Sequence, residues 1–237
     1  MNGSLDLLCR SEVIEGYARA LADVELGLCV PFPYLAQARA SFSAVRVGAQ
    51  DCDVDPCGAR TGRVAAAMLA EVGAELVIVG HSETRADFGL ADMVVAHKAA
   101  AALAAGLRPI VCVGEDIRND ARMAAAVVVE QLRPVLAVNG PHADIIVAYE
   151  PVWAIGTGIA ADESHVELMH ATISRILVEA GAAPGATPIL YGGSVDEKTA
   201  TTLIDLPGVD GFLVGGASLH PARFSAIGMA MTSIVAR

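Results

Sequence analysis

Short β-branched and aliphatic runs alternate with longer helix-forming stretches along the whole chain, and this alternation leaves few architectures open. The strand candidates are Leu26–Val30, Val45–Ala49, Leu76–Gly80, Pro109–Val113, Ile145–Tyr149, Pro188–Tyr191 and Gly211–Val214. Most are continuously apolar, the pattern of parallel strands buried on both faces. Helices are predicted near Leu5–Ala22, Pro33–Ser41, Gly62–Val72, Met93–Ala105, Asp116–Val138, Glu163–Ala180, Asp196–Leu203 and Ala222–Ala236, several of them stopped by a glycine such as Gly73, Gly106 or Gly181. Repeated βα units make either a doubly wound open sheet or a closed (β/α)8 barrel. No GxGxxG follows an early strand, which weakens the dinucleotide-binding sheet. Polar or glycine-rich residues follow most strands: Gln50-Asp51, His81-Ser82-Glu83, Gly114-Glu115, Glu150, Gly192-Gly193-Ser194 and Gly215-Gly216. In a barrel these ends converge on one mouth, where functional residues collect. The barrel is therefore favoured, with an oddity: eight helices but seven strands, the first helix having no strand before it.

The length of 237 residues and the 54% hydrophobic content are ample for one domain spanning 1–237, and no Pro/Ser-rich linker divides it. The formal net charge of −11, with only Lys98 and Lys198 as lysines, argues against nucleic-acid or anionic-membrane partners. A small anion held by backbone N–H groups stays open. Cys9, Cys29, Cys52, Cys57 and Cys112 have neither disulfide-scaffold nor zinc spacing, so metal is not expected and Cys52 and Cys57 read as free thiols. Without a signal-peptide pattern or an apolar run of about 18 residues, the expectation is a soluble cytoplasmic protein.

Three features carry chemistry. His81 follows a buried strand and precedes a helical turn, where nearby N–H groups disfavour the imidazolium and leave a neutral ring able to donate to a carbonyl. A purely structural turn-capping role fits equally well. Glu150 follows the apolar run Ile145-Ile146-Val147-Ala148-Tyr149, a position where desolvation strengthens a carboxylate base, although a Glu paired with an Arg is the common alternative. The glycine-bearing tip Ala154-Ile155-Gly156-Thr157-Gly158 behind it reads as a hinged lid. Finally, Gly192-Gly193-Ser194 and Gly215-Gly216 end successive strands, where backbone N–H groups can approach an anion closely.

With these motifs in order, the chain resembles the triosephosphate isomerase family across essentially its whole length. The resemblance rests on Gly80-His81-Ser82-Glu83, Ile110–Glu115, Glu150-Pro151-Val152-Trp153-Ala154-Ile155-Gly156-Thr157-Gly158, Tyr191–Val195 and Asp210–Leu219. It implies a TIM (β/α)8-type barrel and an isomerase linking dihydroxyacetone phosphate and glyceraldehyde 3-phosphate through an enediolate. Glu150 would then move the proton, and neutral His81 would polarise the carbonyl. Backbone N–H groups of Gly156, Ser194, Gly215 and Gly216 would hold the phosphate, and residues 152–161 would close over it. Glu83 and Cys112 match positions behind the reacting groups. No cofactor is implied, and a homodimer through the Gln50–Gly62 loop is, with Thr61 reaching the neighbouring site.

The chain also departs from the family. The family opens with a strand ending Asn-x-Lys, followed by Met-Asn-Gly; here Met1-Asn2-Gly3 comes first. The resemblance therefore implies a seven-stranded barrel with two open edges, lacking the strand's catalytic Lys and impaired for that reason. The expectation is that the codons upstream of Met1 continue in frame into that strand. Arg63 stands where the family usually has Glu, Thr84 where it has Arg, and Ile159 where it has Lys at the lid hinge. Two rival functions remain: isomerisation of another short phosphosugar, and non-catalytic phosphate binding.

Overall fold

Aliphatic runs flanked by glycine and polar residues need cover on both faces, and seven parallel strands obtain it from helices outside and from one another's side chains inside. The computed structural model describes residues 2–21, 23–118, 120–158 and 160–235, with side chains as far as Thr232. The strands are β1 (Gly27–Val30), β2 (Arg46–Ala49), β3 (Leu76–Val79), β4 (Arg108–Val113), β5 (Ile146–Tyr149), β6 (Ile189–Tyr191) and β7 (Gly211–Phe212). All pairings are parallel, and the spatial order is the chain order. Every strand matches an expected one within a few residues. Among the described residues, β1 and β7 each have a single strand neighbour, so the barrel is open along one seam.

The helices are α1 (Leu5–Leu8), α2 (Ser11–Ala20), α3 (Leu35–Ser41), α4 (Ala66–Glu71), α5 (Ser82–Phe88), α6 (Asp92–Ala104), α7 (Ala121–Asn139), α8 (Glu163–Glu179), α9 (Thr199–Leu203) and α10 (Pro221–Val235). Ten described helices replace the eight expected, for two local reasons. The first segment breaks at Arg10, whose N–H donates to Leu7 O in a three-residue turn and whose φ/ψ of −96/14° leaves the helical region. The turn after His81 is a full helix, capped by the His81 ring at its start and by Gly89 (φ +58°) at its end. Helix α7 also starts later than the expected Asp116, because the Asp120 carboxylate accepts from Arg122 N and Met123 N and so forms the N-cap.

Alternate residues of each strand sort into two cores. Outward-facing Val77, Val79, Val111 and Val147 pack under the helices. Inward-facing Ile78, Ile110, Cys112, Ile146 and Ala148 fill the barrel with Cys29, Leu190 and Leu213 beside them. The strand ends are thereby fixed as a rigid rim.

Candidate active site

The rim brings His81 and Glu150 together from β3 and β5, 69 residues apart in the chain. His81 Nε2 lies 3.0 Å from Glu150 Oε1, and Ser82 N–H donates to Glu150 Oε2 at 2.9 Å. The carboxylate is 2% exposed and sits against the first N–H of α5. Gly114 permits this approach: a Cβ there would stand 1.7 Å from Glu150 O, so any side chain would push the β4 and β5 ends apart.

On the other side of its ring, His81 Nδ1 accepts from Glu83 N at 3.3 Å, which places the ring proton on Nε2, facing Glu150. Burial lowers the pKa of this ring, but the hydrogen bond to Glu150 and the charges of Glu150 and Glu83 outweigh it and raise the net value. The backbone N–H on Nδ1 opposes a second proton there, and the neutral Nε2–H form is the one the hydrogen bonds describe. Behind Glu150, burial pushes the Cys112 thiol well above its ordinary range, with Glu150 adding to the effect through its charge and a hydrogen bond. Cys112 thus stays protonated against the carboxylate. The exposed Glu83 contributes through its charge and its backbone.

Gly156, Ser194, Gly215 and Gly216 line the same cavity as His81 and Glu150. None of their N–H groups donates to another backbone group among the described residues. A Cβ on Gly156, Gly215 or Gly216 would meet nothing within 4 Å, so all three present bare backbone. Ser194 does more than expected: its Oγ donates to Ala154 O at 2.7 Å and ties the short turn after Glu150 to the β6 end. The cavity, of about 1920 Å3, continues past the rim along the open seam between β1 and β7. That extension explains why it exceeds the few hundred Å3 of ordinary small-molecule sites.

Several residues that hold the site were not assigned from sequence. Arg85 donates to Gly80 O (2.7 Å) and Cys112 O (3.2 Å) and pairs with Asp92 (2.6 Å), cross-tying β3, β4 and α6 behind His81. Gln131 from α7 brackets Gly114, accepting from its N–H and donating to its C=O. Glu115 and Tyr191 hold the two ends of the loop that follows Glu150: Trp153 Nε1–H donates to Glu115 Oε1 at 2.7 Å, and Ala161 N–H donates to the Tyr191 hydroxyl at 3.0 Å. Glu115 and Tyr191 stand at the ends of apolar strands, a signal that names no partner, whereas Arg85 and Gln131 lie within α5 and α7 and carry no signal. The departure at Ile159 lies outside the described residues.

Neither lysine approaches Glu150 as a free cation. Lys98 is 5% exposed and bonded to Asp51 at 2.7 Å, whereas Lys198 is exposed at the start of α9. No group of acidic, histidine and cysteine side chains suited to a metal occurs among the described residues. In the Gln50–Gly62 loop Thr61 is exposed, Cys52 and Cys57 are free, and Arg63 pairs with Asp53 at 2.9 Å.

The model of the family "Triosephosphate isomerase" matches residues 1–231. Triosephosphate isomerase of Azoarcus sp. (strain BH72) is 47% identical over 232 residues, covering 96% of this chain and 94% of that protein. The Bordetella pertussis protein of the same name is 46% identical over 217 residues, covering 90% and 87%. The crystal structure of triosephosphate isomerase from Bartonella henselae superposes with a TM-score of 0.88 at 34% identity, covering 98% of this chain and 95% of that one.

Proposed function

The chain belongs to the triosephosphate isomerase family and is an aldose–ketose isomerase of triose phosphates, and we propose that Glu150 and His81 carry its chemistry. Glu150 takes a proton from one substrate carbon and returns it to the neighbour. The Nε2–H of His81 donates to the carbonyl oxygen on which negative charge develops, and then moves the hydroxyl proton. The observation that carries this reading is the pairing itself: a buried carboxylate beside an imidazole whose far nitrogen is occupied by a backbone N–H. Such a base contributes typically 10²–10⁴-fold, and a fixed donor at a developing oxyanion a further 10²–10³-fold.

The bare N–H groups of Gly156, Ser194, Gly215 and Gly216 take the phosphate, and the closed lid keeps water from the enediolate. Cys112 and Glu83 act from behind, one packed on the carboxylate and the other holding the His81 tautomer. Lys98 is committed to Asp51, and no lysine or arginine pairs with Glu83 or Glu150 among the described residues. Catalysis is expected to run on the order of hundreds-fold below that of a site with one. The unit is one domain over 1–237 and works in the cytoplasm without a cofactor, and no described helix is long and apolar enough to cross a membrane. It pairs as a homodimer through Gln50–Gly62, with Thr61 reaching the neighbour's site.

Coupled isomerase assays with dihydroxyacetone phosphate test the reading, alongside phosphoglycolate binding by calorimetry. Turnover above background that Glu150→Gln lowers by about 10³-fold, with phosphoglycolate still bound, is expected. Phosphoglycolate binding with background turnover would assign the chain to non-catalytic phosphate binding. Faster turnover of a tetrulose phosphate would assign it a different phosphosugar.

A further inference from the structure

The N-terminal hinge of the lid is held by one residue in two ways. Glu115 accepts from Val152 N–H through its carbonyl (3.0 Å) and from Trp153 Nε1–H through its carboxylate (2.7 Å). That carboxylate is 1% exposed, and Tyr149 OH reaches both its oxygens at 3.0 and 3.1 Å. A buried carboxylate bonded only to neutral donors is expensive to hold, so the nearest group able to carry positive charge decides how firmly it is held.

That group is His165, in the first turns of α8. Its Nε2 lies 3.1 Å from Glu115 Oε1 and 2.9 Å from Tyr149 OH. Next to a carboxylate, Nε2 carries its proton, shared between Glu115 and the tyrosine oxygen. Nδ1 has no hydrogen-bond partner among the described residues, so the ring gains or loses charge there without breaking the Nε2–H bond. The same ring meets the Trp153 indole edge to face, with centroids 5.7 Å apart.

We propose that His165 is a positioning residue for the lid, acting through Glu115, and that the charge on its imidazole sets how firmly the Trp153 hinge is held. The protonated ring neutralises the buried carboxylate and fixes the acceptor of Trp153 Nε1–H; the neutral ring leaves that carboxylate to neutral donors and loosens the hinge. The other ionisable groups around it are accounted for. Arg118 stacks on Trp153 at 5.0 Å from the ring centroid and pairs with Asp162 ahead of α8. Burial pushes Tyr149 and Tyr191 above the usual phenol range, so neither ionises where histidine does. His170, edge-on to Tyr149, is pulled down to about 4 by burial.

The proposal rests on residues 152–161 being a lid over the site, but its test needs no turnover. Trp153 is the chain's single tryptophan, so its indole N–H gives one resonance in a nitrogen–proton correlation spectrum. In the unliganded full chain this signal should shift with pH at the same midpoint as the His165 ring proton. His165→Gln, which keeps a donor without the charge, should hold the indole shift near its wild-type value and abolish the titration. His165→Leu should lose the shift altogether. On the acid side of that midpoint, indole N–H exchange in the wild type should be slower than in His165→Gln by roughly three- to ten-fold. A flat wild-type titration, or the same titration in His165→Gln, overturns the proposal. If the variants do not fold, disagreement between the wild-type indole and His165 midpoints overturns it, and coincidence upholds it. Failure of isomerisation alone leaves all these readouts unchanged and counts only against the assigned reaction.

Discussion

A few single atoms decide what this site can do. The thiols divide by burial: Cys9 and Cys57 are exposed, whereas burial pushes Cys29 and Cys52 to about 12 and Cys112 well above the ordinary thiol range. Because only thiolate reacts, a colorimetric thiol reagent at pH 8 should titrate two groups quickly in the folded protein and five after denaturation. His170 illustrates the opposite sign of charge. It is fully buried, its ring nitrogen bonds Gly208 O at 2.8 Å, and burial holds its pKa down to about 4. Between the ordinary histidine range and pH 4 the unfolded chain binds a proton that the folded chain refuses, so stability falls as pH falls through that window. The loss reaches about 3 kcal/mol near pH 4. Urea midpoints from pH 7 to 4.5 should show this slope, and His170→Asn should remove most of it. Both histidines of α8 stood in plain view in the sequence. Nothing in the spacing Glu163-Ser164-His165 announced that one would meet a carboxylate 50 residues earlier in the chain.

Strand and loop junctions carry the next level of control. The βα alternation located all seven strands, because a parallel strand covered on both faces has to be continuously apolar. Helix ends were less legible, since they hang on single capping atoms such as the Asp120 carboxylate and the His81 ring. Gly114 is the tightest junction, and Gly114→Ala should cost about 3 kcal/mol or more, because backbone rather than a flexible side chain must give way. Chemical denaturation would measure the cost, and a wild-type midpoint would refute it. At the lid, Tyr191→Phe and Ser194→Ala each remove one latch, on Ala161 N and Ala154 O respectively. Each bond is worth about 1 kcal/mol, so either variant should weaken phosphoglycolate binding by about five-fold and the pair by more. Equal affinities in calorimetry would count against the latches.

At the scale of the whole molecule, the strands of the described residues leave a seam between β1 and β7. Each edge strand leaves one row of N–H and C=O groups without a strand partner among the described residues, and the cavity extends along that seam. Adding a parallel strand ahead of α1 should raise the melting temperature by roughly 2–4 °C for each kcal/mol gained and reduce association at high concentration. Identical melts and identical light-scattering masses would show that the seam costs nothing.

The sequence by itself determined the βα order, the strands and the positions of Glu150, His81 and the strand-end glycines, and its motifs resemble one family. The order, strands and positions are written in local composition: the apolar period of a covered strand, or a polar or glycine residue at its end. Only the tertiary structure decided what those residues touch. It took the 3.0 Å approach of His81 to Glu150, the commitment of Lys98 to Asp51, and the meeting of His165, Glu115 and Trp153 from α8, the β4 end and the lid. Contacts between distant segments follow from the curvature of the sheet and the packing of helices around it. No window of sequence contains that geometry.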